Sequence, residues 1–142
     1  MYKKVIIFFI FLFFSPLLNT SAYGCENIEI FDITKEEVVR TIPSSKKIQK
    51  EVKGYLYNIT GIYAKFNPIP DRGFAIKVFL EPPVTVKSKL SYSTVEEVIV
   101  MFPEKDAPFL MVFEGNENLI CYNFKGKTDR LLKKLKYPSI DK

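Results

Sequence analysis

Residues 74–81 read Phe74-Ala75-Ile76-Lys77-Val78-Phe79-Leu80-Glu81. Phe74, Ile76, Val78 and Leu80 fall on one side of an extended chain and Ala75, Lys77, Phe79 and Glu81 on the other, which is the two-residue period of a strand. Upstream the period is different. Ile48, Val52, Tyr55, Leu56, Ile59, Ile62 and Tyr63 recur at spacings of three and four, with Lys46, Lys47, Lys50, Glu51 and Lys53 on the opposite side. That pattern predicts an amphipathic helix capped by Ser44 or Ser45 and running to about Tyr63. The change of period falls at Asn67-Pro68-Ile69-Pro70-Asp71-Arg72-Gly73, a run of turn formers.

Downstream, Pro82-Pro83 end the strand, and Val84 and Val86 start another. Val95 to Phe102 and Phe109 to Phe113 are apolar on both faces, as strands at the centre of a sheet are, and Pro103 to Pro108 form a polar loop between them. Gly115-Asn116-Glu117-Asn118 reads as a hairpin turn into Leu119 to Phe124. Thr128 caps a short basic helix with Leu131, Leu132 and Leu135 on one side, ended by Tyr137-Pro138. Before the long helix, Ile28 to Ile33 alternates like a short strand. Thr34 with Glu37 has the capping-box form and predicts a brief helix through Val38 and Val39, stopped by Pro43.

The expected fold class is therefore α+β: a long N-terminal amphipathic helix packed on an antiparallel β-meander of about five strands, with a short C-terminal helix. Over roughly Ser44 to Phe124 this layout is similar to the cystatin-like and PepSY-like architectures. The cystatin-type Gln-x-Val-x-Gly loop is approached only by Gln49-Lys50-Glu51-Val52-Lys53-Gly54, one residue out of register and on the predicted helix, so inhibition is not carried over from the layout.

The chain opens Met1-Tyr2-Lys3-Lys4, continues apolar from Val5 to Phe14, and reaches the small residues Thr20-Ser21-Ala22-Tyr23-Gly24. That is the order of a secretory signal peptide, residues 1–24, preceding one domain at 25–142. Pro16 and Asn19 interrupt the apolar run short of the about 20 residues a membrane span requires. Loss of the leader removes Lys3 and Lys4 and lowers the net charge from +5 to +3. So mild a bias does not point to nucleic acid.

Cys25 and Cys121 are the only cysteines, and export would deliver them to an oxidising compartment. A bridge between them would close a loop of most of the domain and contribute about 4–5 kcal/mol by loop entropy. Free thiols, or lipid anchoring through Cys25, are the alternatives, although Tyr23 and the absence of an aliphatic residue at position 22 argue against lipidation.

The chain has no histidine. The common nucleophilic triads, cysteine-protease dyads and most zinc sites thereby lose a member. Glu96 and Glu97 are neighbours in a strand and point to opposite faces, so they do not form a paired acid and base. Glu114, Asn116, Glu117 and Asn118 crowd a turn with oxygen atoms, Asp71-Arg72-Gly73 reads as a turn, and Asn58-Ile59-Thr60 matches a glycosylation sequon on the predicted helix. No catalytic, cofactor or metal residues are assigned. Basic residues alternate with aromatic ones over Lys53 to Phe66 and Lys125 to Tyr137, and Arg130, Lys133, Lys134 and Lys136 make a candidate basic surface patch. The expected function is an exported, non-catalytic domain that binds a protein partner or an anionic component of the cell envelope. The alternatives are an inhibitor of exported hydrolases, or an enzyme of unfamiliar type with a pocket between helix and sheet.

Overall fold

A computed structural model describes residues 26–65, 67–87, 89, 92–114 and 118–137. The signal-peptide reading of residues 1–24, Cys25, and Gly115, Asn116 and Glu117 of the predicted turn lie outside them. The described chain forms β1 (Ile28–Asp32), β2 (Glu37–Ile42), α1 (Lys46–Tyr57), β3 (Ile59–Ile62), β4 (Gly73–Lys87), β5 (Tyr92–Pro103), β6 (Phe109–Glu114), β7 (Asn118–Phe124) and α2 (Thr128–Leu135). The strands make one sheet in the order β2-β1-β4-β5-β6-β7-β3, and every neighbouring pair is antiparallel. Among the described residues no helix is long and apolar enough to cross a membrane.

The alternation at residues 74–80 builds the core as expected. Phe74, Ile76, Val78 and Leu80 are buried on the face that carries both helices. One row across that face runs Ile30, Ile76, Val100, Leu110, Tyr122 through five paired strands. On it lie Ile48, Val52, Tyr55 and Leu56 from α1 and Leu131, Leu132 and Leu135 from α2. The opposite face has its own cluster, with Phe31, Ala75, Met101 and Phe109 in one row and Ile99, Met111 and Cys121 beside it. β5 and β6 stand inside the sheet with apolar residues on both faces, as their sequences require.

Three expectations are corrected. The helix begins where predicted, with the Ser45 hydroxyl accepting from the Ile48 amide at 3.3 Å, but it lasts 12 residues and stops at Tyr57. Asn58 ends it: its amide donates to the Tyr55 carbonyl at 3.1 Å and its side chain to the Gly54 carbonyl at 2.7 Å. Beyond it, the β-branched Ile59 and Thr60 leave the helix, and Ile59, Gly61 and Ile62 pair with the edge of β7. The spacing of Ile59 and Ile62 suits either period, so the sequence pattern extends past the true end of the helix.

The predicted Thr34 to Val39 helix is instead the turn and second strand of a hairpin. Asp32 accepts the Lys35 amide at 2.9 Å, Glu36 takes the left-handed conformation (φ 57°), and the β-branched Val38, Val39, Thr41 and Ile42 extend.

Pro82-Pro83 interrupt the β4–β5 register between Phe79 and Val84 without ending the strand, which resumes pairing at Val84 and continues to Lys87. The irregular stretch is satisfied from above by buried Gln49 of α1, which accepts the Glu81 amide at 3.0 Å and donates to the Ser44 hydroxyl at 3.2 Å. The sheet thus has seven strands in place of about five, and only β4 to β7 form a meander.

Cys121 carries a free, buried thiol. Cys25, the other half of the expected bridge, lies outside the described residues.

Candidate functional site

α1 and α2 lie side by side on the sheet, and the link from β7 into α2 returns beneath the end of α1. The Asn58 carbonyl accepts the Lys125 amide at 2.9 Å, and the Tyr55 hydroxyl donates to the Lys127 carbonyl at 3.2 Å. Gly126 sits against the Tyr55 ring, which also packs on Phe124 with centroids 4.7 Å apart. Burial, and the nearby Glu51 carboxylate after it, push the Tyr55 phenol well above its usual range, so it stays protonated as a donor.

Above this floor the two helices leave an open groove of about 500 Å³. Its walls carry Lys47 and Lys50 from α1, Lys125 and Lys127 from the link, and Arg130 and Lys134 from α2, against one carboxylate, Glu51. Glu51 is itself held by Lys134 at 2.8 Å. Lys47, Lys50, Lys125, Lys127 and Arg130 have exposed side chains, so they present charge to solvent at little desolvation cost. Six cations around one cavity with one paired acid create a local positive field far stronger than the chain's mean charge implies.

The candidate basic patch divides accordingly. Arg130 and Lys134 line the groove, whereas Lys133 and Lys136 are not among its lining residues. Lys136 occupies the left-handed C-cap of α2, and its carbonyl accepts from Arg40 at 2.7 Å. The groove residues Lys47, Lys50, Lys125 and Lys127, with the Tyr55–Gly126 floor, were not singled out from the sequence. Their signal was present as two separate basic stretches, but only the packing of α1 on α2 brings them together.

The remaining candidates stand apart from the groove. Glu96 is exposed, and Glu97 is half-buried on the second face of the sheet. Glu114 accepts from the Tyr122 hydroxyl at 2.5 Å and the Ser93 hydroxyl at 3.3 Å. Asp71-Arg72-Gly73 is a turn, closed where Gly73 (φ 128°) passes over the Phe102 carbonyl. It borders a second recess of about 620 Å³ that mixes Asp71, Glu104 and Asp106 with Arg72 and Lys105 and so has no dominant sign. Asn58 and Thr60 of the sequon are exposed, at the end of α1 and on the edge strand β3 rather than on a helix face. Between α1 and the sheet, where a pocket was the alternative expectation, Ile48, Val52 and Leu56 pack on core side chains.

Set against protein-family models, curated proteins and solved structures, the chain matches none.

Proposed function

We propose that this chain is an exported, non-catalytic domain that binds an anionic component of the cell envelope in the groove between α1 and α2. The observation that carries the reading is the convergence, among the described residues, of six lysine and arginine side chains on one cavity lined by one carboxylate, which Lys134 already pairs. Phosphate or carboxylate groups repeated along a polymer fit such a surface, because each contact is weak and several act together. The extracytoplasmic address rests on the composition of residues 1–24, with lipid anchoring through Cys25 as its variant.

The test is binding of the purified protein to isolated cell envelopes and to soluble polyphosphate, at low and high salt. Lys50→Glu, Lys127→Glu and Arg130→Glu together are expected to weaken binding by more than about tenfold, and salt to weaken the wild type in the same direction. Undiminished binding by the triple variant would overturn the reading.

A further inference from the structure

On the sheet face away from the helices, charged side chains of three neighbouring strands meet in an otherwise apolar setting. Lys77 of β4 has a fully buried side chain, and its Nζ lies 2.9 Å from Glu29 Oε2 of β1. β4 pairs Lys77 with Ile99 and Phe79 with Glu97, which puts Glu97 of β5 diagonally across from Lys77 on the same face. Diagonal neighbours of this kind are within reach of long side chains. Glu97 Oε1 is buried and has no hydrogen-bond partner among the described residues. The Phe79 ring lies 5.2 Å from Lys77 Nζ, and Ile99, Met111 and Cys121 continue the row into the sheet. One buried cation therefore faces two carboxylates, with Glu29 at hydrogen-bond distance and Glu97 within its electrostatic reach. Ionising the second without a partner is costly.

We propose that Glu29, Lys77 and Glu97 form a proton-operated latch that fixes the β1–β2 hairpin to the rest of the sheet. With Glu97 protonated, Lys77 is committed to Glu29 and clamps β1 to β4. With Glu97 ionised, two carboxylates compete for one ammonium group and the clamp weakens. The position suits this, because β1 meets β4 through only four residue pairs, Glu29–Lys77 to Asp32–Phe74, and the ion pair closes one end of that run. The charged groups acting on Glu97 are Lys77, Glu29 and Glu26. Burial raises its carboxyl most, Lys77 pulls it down, Glu26 and Glu29 raise it further, and the outcome is about 7. A raised carboxyl stabilises the fold below the ordinary carboxylate range and loses that contribution as pH climbs through about 7. The hairpin is thus held in mild acid and released toward alkaline pH.

The experiment is amide hydrogen exchange on the full chain between about pH 6 and pH 8.5, corrected for intrinsic exchange, with the Glu97 carboxyl carbon followed by NMR. Protection at Ile30 and Phe31 is expected to fall by about tenfold across that range while Val98 and Val112 hold theirs. Glu97→Gln, which keeps the shape and removes the charge, is expected to abolish the change. A Glu97 midpoint in the ordinary carboxylate range, an equal loss at Val98 and Val112, or an unchanged loss in Glu97→Gln would each overturn the proposal.

Discussion

Gly126 lies flat against the ring of Tyr55, so closely that a Cβ built on it would come within 2.9 Å of Tyr55 Cδ1. The ring has little freedom to yield, because Phe124 packs on it and its hydroxyl is tied to the Lys127 carbonyl. Gly126→Ala is therefore expected to cost about 1–2 kcal/mol of stability, as overpacking does, and to shift the link carrying Lys125 and Lys127. Denaturant unfolding measures the first effect. Weaker polyphosphate binding by the folded variant measures the second.

The groove reading separates lysines that are close in sequence. Lys134 lines the cavity and Lys133, one residue earlier, does not. Lys133→Glu is expected to change polyphosphate affinity by less than about twofold, whereas Lys127→Glu alone should lower it by about threefold or more. Titrations at one ionic strength compare them directly. Equal losses from both variants would indicate diffuse attraction to a basic surface rather than a groove.

Gly73 turns at φ 128°, and a Cβ there would lie 2.1 Å from the Phe102 carbonyl oxygen. Both the conformation and the space exclude a side chain. Gly73→Ala is expected to lose more than about 3 kcal/mol, because the obstruction is backbone of the neighbouring strand. Thermal unfolding would show this as a large fall in Tm or the loss of a cooperative transition.

Burial pushes the Cys121 thiol up to about 11. At about pH 8 it is almost wholly protonated and shielded by its apolar cluster, so alkylation in the native protein is expected to leave it unmodified. Peptide mass mapping after iodoacetamide treatment, with and without denaturant, checks this. The label at Cys121 should appear only when the fold is opened.

Much of the sheet was legible in the residues because a strand's side-chain period is two, and a buried face makes that period unmistakable. Residues 74–80 placed themselves, and the central pair of strands announced itself by being apolar on both sides. The errors fell where local patterns serve two structures. Ile59 and Ile62 match a helix spacing, yet Asn58 caps the helix and leaves them to β7. Thr34 and Glu37 have the form of a capping box, but the Asp32 carboxylate takes the turn instead. The groove is half visible in the sequence, since Arg130 and Lys134 stand out in a basic helix while the lysines of α1 have the pattern of any solvated helix side.

Composition and spacing alone determined that this chain builds an antiparallel sheet with amphipathic helices, and removed histidine chemistry from its repertoire. Those are local properties, set by which residues each few positions supply. Tertiary packing decided that α1 and α2 pool their cations, that buried Lys77 pairs with Glu29 on the far face, and that the Cys121 thiol is buried there. Each of these depends on the order of strands across the sheet, which brings together residues far apart in the chain, 83 positions in the Lys134–Glu51 pair. No local pattern carries that order, because hydrophobic burial sets which face is covered and leaves open which strand lies beside which.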